Sequence, residues 1–136
     1  MPVAAVYANS DPVPGGPGST PCPIEVYAYC EPPQIIGDYG LVKVFRQTGG
    51  LYWKYGCFGQ ITLLGVMVEN PATGVVKVVA SLTMDYVGGE SSHGCLIGKI
   101  VGGNFEGIME AHGDRHVEAE VTGIEGGYLI YGEWWI

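Results

Sequence analysis

The chain has 136 residues, the length of one domain, so a catalytic domain with a separate cofactor module is not expected. Its 23 glycines, 9 prolines and 15% charged residues disfavour a helical bundle, and its 47% hydrophobic residues disfavour a disordered chain. The net charge is −8, and residues 69–136 contribute −7 of it, with three basic and ten acidic residues. Because the basic residues are scattered and outnumbered, we expect no nucleic-acid partner.

The N-terminal residues are rich in proline and glycine. The segment DPVPGGPGSTPCP carries five prolines and three glycines in thirteen residues, which suits neither a helix nor a central strand. We therefore predict an extended arm over residues 1–23, followed by a single β domain over residues 24–136. Ordering such an arm requires contacts that offset its entropy. We predict that neighbouring copies supply them, at Pro12, Pro14, Pro17 and Pro21.

From residue 24 onward, apolar residues alternate with polar ones and are interrupted by glycine-bearing turns, which predicts successive antiparallel strands. Nine strands are expected, at 24–30, 39–47, 51–56, 58–69, 75–87, 95–101, 105–112, 116–123 and 128–135. With short connections and no helical window, we predict an all-β antiparallel meander that forms a small barrel or a sandwich.

Two hairpins allow a prediction of which side chains face the core. If residues 113–115 form a three-residue turn, Glu110 lies opposite Glu118 on an acidic outer face, and Phe105, Met109 and Val117 lie on the core face. A five-residue loop over residues 70–74 would instead pair Glu69 with Val75 and leave both faces of that hairpin partly apolar. We expect another subunit to cover the second apolar face. Its interface candidates are Ile61, Leu63, Met67 and Val79.

No catalytic or cofactor-binding motif stands out in the sequence, and no catalytic residue, cofactor or metal ligand is assigned. His112, His116, Glu110 and Glu118 are suitable metal ligands, but their spacing is not a recognised zinc signature, and a solvated acidic face is the simpler interpretation. The loop GGESSHGC brings serine, histidine and cysteine together only in sequence, which is weak evidence for a catalytic triad.

The four cysteines, Cys22, Cys30, Cys57 and Cys95, have no C-x-x-C spacing. We interpret them as buried thiols, with a disulfide between Cys22 and Cys30 as the alternative. No run of 18 apolar residues is present, so no membrane span is expected. The sequence does not determine the compartment, and a virion or an extracellular assembly is compatible with it.

The stretch from Leu82 to Gly113 contains the pattern GG-x-F-x-G-x-x-x-x-x-G at residues 102–113. It resembles a rhythm found in dirigent and allene oxide cyclase barrels, although Asn104 replaces a residue of the usual Gly-Thr-Gly. The resemblance implies an eight-stranded, often oligomeric barrel whose apolar lumen guides cyclisation or radical coupling.

These features favour a non-catalytic structural subunit of a homo-oligomeric assembly, such as a virion or phage decoration protein. The alternative is a small barrel cyclase, isomerase or apolar-ligand carrier, in which Tyr52, Trp53, Tyr55, Trp134 and Trp135 would line a cavity. A second alternative is a carbohydrate-binding module, which would require a row of exposed aromatic rings.

Overall fold

A computed structural model describes residues 21–136, and its regular elements are all antiparallel β-strands. The all-β prediction is therefore confirmed. The strands are β1 (Cys22–Cys30), β2 (Gln34–Asp38), β3 (Val42–Trp53), β4 (Gly56–Glu69), β5 (Val76–Tyr86), β6 (Ser91–Val101), β7 (Asn104–Gly113), β8 (His116–Ile124) and β9 (Gly127–Trp135). The first strand begins inside the segment predicted as an arm, and residues 1–20 lie outside the described part of the chain.

The strands close into a barrel, which decides between the two architectures that the sequence left open. Each strand from β3 to β9 pairs with the next along the chain, β9 pairs with β1, and β1 pairs with β3. Eight strands thus form a ring, and β2 lies outside it against the first half of β3. Closure satisfies both edges of each barrel strand over its paired length, which an open sheet cannot do.

The predicted break at residues 48–50 is wrong, because β3 runs through it without interruption. A Cβ atom on Gly49 would lie 2.5 Å from both the Tyr29 carbonyl oxygen and the Cys30 Sγ atom. A Cβ atom on Gly50 would lie 2.8 Å from the ring of Tyr52. Gly49 therefore allows close packing where β1 meets β3, Gly50 leaves room for the ring of Tyr52 in its own strand, and neither residue lies in a turn.

Two other boundaries differ from the sequence prediction. Strand β2 was not expected, because it is short and follows two prolines. Strand β6 begins at Ser91, inside a segment that was predicted to be a loop. There, Ser92 is completely buried and replaces an apolar residue in the inward pattern. A polar side chain at an inward position hides a strand from a search for apolar alternation.

Alternate side chains of the strands fill the barrel interior. The predicted register of the β7–β8 hairpin is confirmed, since Glu110 lies opposite Glu118 and Ala111 lies opposite Val117. Its predicted core residues Phe105, Met109 and Val117 are buried. The largest fully buried apolar side chains of the described residues are Leu51, Leu63, Leu82 and Ile130.

The predicted register of the β4–β5 hairpin is wrong by one residue. The Asn70 amide donates to the Val75 carbonyl, so these residues extend the ladder and Glu69 pairs with Val76. The loop thus has four residues instead of five. Because side chains alternate between faces, this slip moves Ile61 and Leu63 to the core, where they are 4% and 1% exposed.

The seam between β1 and β3 provides a test of the fold. Gly49→Val should lower the free energy of unfolding by about 1–3 kcal/mol or more, because the added side chain collides with the backbone of β1. Gln60→Val, on the exposed outer face of β4, should change it by less than about 0.5 kcal/mol. Urea denaturation measures both values, and equal stability of the two variants would contradict this account of the seam.

Candidate functional site

One end of the barrel contains a cavity of about 250 Å³. It lies where β1, β4, β6 and β8 begin and where β3, β5 and β9 end. Four aromatic side chains form much of its wall, namely Trp53, Phe58, Tyr86 and Trp134. Phe58 and Tyr86 stack nearly parallel, with ring centroids 6.2 Å apart. An eight-stranded barrel is just wide enough for such a space, which suits one small molecule.

A small polar group interrupts the apolar wall of this cavity. Arg115 pairs with Glu90 at 2.9 Å, and its guanidinium lies 4.3 Å from the ring centroid of Trp134. The hydroxyl of Tyr86 donates to the Ser92 Oγ atom, which in turn donates to the Arg115 carbonyl. Burial raises the pKa of Tyr86, so its hydroxyl keeps its proton at neutral pH. The wall therefore presents a neutral ion pair beside aromatic rings.

Side chains occupy the opposite end of the barrel. Phe105 and Tyr128 meet edge to face at 5.4 Å, and the Tyr128 hydroxyl donates to the buried side chain of Gln47 at 2.7 Å. The amide of Gln47 donates to the Glu31 carbonyl at 2.9 Å. Burial raises the pKa of Tyr128 to about 12 and that of Cys30 to about 11, so both groups are neutral there.

A second apolar feature lies on the outside of the barrel. Five β-branched residues occupy directly opposed positions on consecutive strands from β3 to β7. We call this line the outer row, and its members are Val44, Val66, Val79, Ile97 and Ile108. The last three are 50%, 52% and 44% exposed. Leu64 and Val68 lie beside the row and are also exposed, so the apolar surface is contiguous.

The interface candidates from the sequence are only partly on this surface. Val79 belongs to the outer row, whereas Ile61 and Leu63 lie in the core of their own barrel and Met67 packs partly against that core. Pro21 is half-buried just before β1. The candidates Pro12, Pro14 and Pro17 lie outside the described residues. Both faces of the β4–β5 hairpin carry apolar side chains, and the one-residue difference in register changes which residues of β4 and β5 share a face.

The serine, histidine and cysteine side chains of the segment 91–95 do not converge. Ser92 points inward to Tyr86, whereas His93 contacts Thr83 on the outer face at 3.4 Å. Cys95 is exposed on the same strand. Alternation along β6 thus places Ser92 on the inner face and leaves His93 and Cys95 on the outer face, so the three do not form a triad.

The two histidines of the β7–β8 hairpin do meet. Their Nδ1 atoms are 2.8 Å apart, so one ring donates to the other, and His112 Nε2 lies 2.9 Å from Glu110. His116 also stacks on Trp135. Across residues 21–136 there is no group of three or more His, Cys, Asp or Glu side chains placed to hold a metal ion.

The cysteine prediction is wrong on burial, since Cys22, Cys57 and Cys95 are exposed and Cys30 is half-buried. Within the described residues no disulfide joins them. Cys22 and Cys30 are the first and last residues of β1, about 26 Å apart at roughly 3.3 Å per residue. That distance excludes the alternative bridge between them, which requires Cα atoms within about 7 Å.

The aromatic residues that the sequence grouped together divide between separate places. Trp53 and Trp134 line the cavity, while Tyr52 faces outward and meets Tyr29 at 5.4 Å. Tyr55 is exposed and packs edge to face on Trp53.

Comparison with known proteins adds no relative: no protein-family model and no curated protein sequence matches the chain. In the part of the chain that the structure describes, no helix has the length and apolar character needed to cross a membrane.

The histidine pair predicts a pH dependence of stability. Burial and the neighbouring His112 lower the pKa of His116 below its usual 6.5, while Glu110 acts in the opposite direction. Below pH 6.5 the unfolded chain therefore binds the proton more readily, and the folded state loses stability as the pH falls. Burial and Glu110 raise the pKa of Glu118 above its usual 4.5, so the folded state binds this proton more readily than the unfolded chain. Glu118 therefore adds stability as the pH falls through the raised pKa toward 4.5.

The contribution of His116 is isolated by His116→Gln. We expect the stability difference between the native chain and this variant to be larger at pH 7.5 than at pH 5.5, measured as the difference in Tm. Thr122→Gln places a glutamine on the exposed outer face of the same strand without removing a titratable group, and it should leave the native pH dependence of Tm unchanged. Parallel pH profiles for the native chain and His116→Gln would contradict the assignment.

Proposed function

We propose that this chain is a non-catalytic structural subunit that assembles with further copies of itself through the outer row. The observation that carries the proposal is the exposure of Val79, Ile97 and Ile108 in one line across adjacent strands. Soluble monomers seldom leave a contiguous apolar surface of this kind in water. An interface that covers this surface removes it from water, and each Å² of apolar surface buried stabilises the assembly by roughly 25 cal/mol.

Charges beside the outer row favour a second copy as the partner. The adjacent line of opposed residues runs Lys77, Lys99 and Glu106 across β5, β6 and β7. A two-fold axis parallel to the strands turns one copy over onto the other and exchanges the two ends of this line. With the axis at β6, Lys77 of one copy faces Glu106 of the other, and the converse pair forms as well, while Lys99 lies opposite the same residue of the second copy. The two oppositely charged pairs outnumber this one repulsion, and the apolar rows meet.

Closure of the barrel favours contact between faces. The strands that carry the outer row are paired on both edges, so they have no open backbone edge for another chain to extend. The contact we propose is therefore packing of one sheet face on another, at about 10 Å, through interdigitating side chains.

The kind of assembly we propose is a coat, such as a virion or phage decoration layer. The proline-rich and glycine-rich composition of residues 1–23 supports an arm that reaches onto neighbouring subunits. The net charge of −8 supports a soluble surface that avoids non-specific contact with anionic polymers.

The two alternatives have unequal support. The apolar-ligand function is favoured by the aromatic cavity at the barrel end. Among residues 21–136, a carbohydrate-binding function is favoured by the neighbouring rings of Tyr27, Tyr29 and Tyr52 on the outer face. The rings of Tyr29 and Tyr52 are inclined at 60°, so the three do not form the flat platform on which a sugar would stack.

The assembly proposal is tested at the centre of the outer row. Ile97→Lys should weaken self-association roughly a hundredfold or more, because two charged groups would be buried in a two-fold interface. Sedimentation velocity over a range of concentrations measures the dissociation constant.

The matched control is Val87→Lys, which adds the same charge at an exposed β-branched residue in the β5–β6 turn. It should associate as the native chain does. A native chain that stays monomeric at the highest soluble concentration would overturn the proposal, as would equal association of the two variants.

A further inference from the structure

We infer that the barrel-end cavity binds a neutral, flat ring compound of about ten carbon atoms that carries a hydroxyl group. Three features of the cavity support this ligand: its size, its aromatic wall and the ion pair between Glu90 and Arg115. None of these features belongs to the outer row, so the ligand site is independent of self-association.

The size of the cavity limits the ligand. A cavity of about 150 Å³ lined by apolar side chains holds benzene, which has six carbon atoms. By proportion, the 250 Å³ here accommodates roughly ten non-hydrogen atoms, which is a fused two-ring compound. The space is below the range of about 300–1,000 Å³ that holds larger ligands.

The side chains of the wall select a flat, unsaturated ring. Trp53 and Trp134 present large aromatic surfaces, and the stacked rings of Phe58 and Tyr86 add a further flat surface. Aromatic ligands gain stacked or edge-to-face contacts with such rings beyond the burial of apolar area. An aliphatic compound of the same volume would fill the space without those contacts.

The ion pair selects a neutral ligand with one polar group. Arg115 can donate a hydrogen bond and Glu90 can accept one. A ligand hydroxyl can therefore accept a hydrogen bond from Arg115 or donate one to Glu90. A ligand anion would meet the Glu90 carboxylate, and a ligand cation would meet the Arg115 guanidinium. Either charged ligand would also lose its hydration on entering an apolar space, and neither would find an uncompensated partner charge.

The surroundings hold the ion pair in place. The main chain of Arg115 accepts a hydrogen bond from the buried Ser92 hydroxyl at 2.7 Å, and its side chain packs on Trp134. Asp114, the preceding residue, accepts a hydrogen bond from the Ser91 amide at 2.9 Å. The guanidinium of Arg115 is therefore held against the cavity wall before a ligand arrives, which reduces the entropy lost on binding.

The test uses three naphthalene derivatives that share one ring system and differ in charge. Isothermal titration calorimetry of the full chain at pH 7 measures binding of 2-naphthol, 2-naphthoate and 2-(aminomethyl)naphthalene. We expect 2-naphthol to bind at least about tenfold more tightly than either charged probe. Equal binding of the three probes, or no binding of 2-naphthol up to its solubility, would overturn the inference.

Substitutions at the wall locate the site. Trp53→Ala should weaken 2-naphthol binding about fivefold or more, while its half-exposed position leaves the core intact. Tyr39→Ala removes an exposed aromatic ring far from the cavity and should have no effect. Ile97→Lys, in the outer row, should also leave the binding of 2-naphthol unchanged. An equal loss in Ile97→Lys and Trp53→Ala would assign the probe to the outer surface and overturn the inference.

A change of charge preference tests the role of the ion pair. Glu90→Gln leaves Arg115 without its carboxylate, so the wall becomes cationic, and the affinity for 2-naphthoate should rise about tenfold. Glu69→Gln makes the same change in net charge at an exposed residue away from the cavity and should leave the probe preference unchanged. The same response in both variants, or none in Glu90→Gln, would overturn the assignment of the ion pair.

Discussion

The pairing of β1 on both of its edges is the constraint on which the rest of the structure depends. One edge is bonded to β9 and the other to the second half of β3, so a single strand joins the two ends of the meander. Gly49 makes this close approach possible, since any side chain there would meet the backbone of β1. Without this strand the sheet would be open, and its apolar inner face would be accessible to water.

Closure also separates the two features that we assign to function. The cavity is enclosed on one side by Ile24 and Val26 of β1, so it exists only because that strand completes the ring. The outer row lies on the convex face of β3 to β7, on strands whose edges are already paired. One sheet therefore presents apolar side chains on both faces, of which the inner set packs the core and the outer set is exposed.

The sequence predicted the fold wherever a turn and an apolar pattern agreed. The short turn at residues 113–115 fixed the β7–β8 register, whereas at Asn70 the main chain continued the ladder and shifted the β4–β5 register by one residue. The sequence pattern predicts a turn at Gly49 and Gly50 because close packing and turns both favour glycine. The cavity could not be predicted, since Trp53, Arg115 and Trp134 come together only when distant strand ends meet at closure.

Hydrogen exchange of the main-chain amides tests closure most directly. Residues 27–30 of β1 pair with β3, and most of them also pair with β9. A closed barrel predicts that their hydrogen-bonded amides exchange within about tenfold of those of residues 61–65 in β4, because both segments open only when the barrel unfolds. If the amides of residues 27–30 exchanged several orders of magnitude faster than those of β4, the sheet would be open and the account would be wrong.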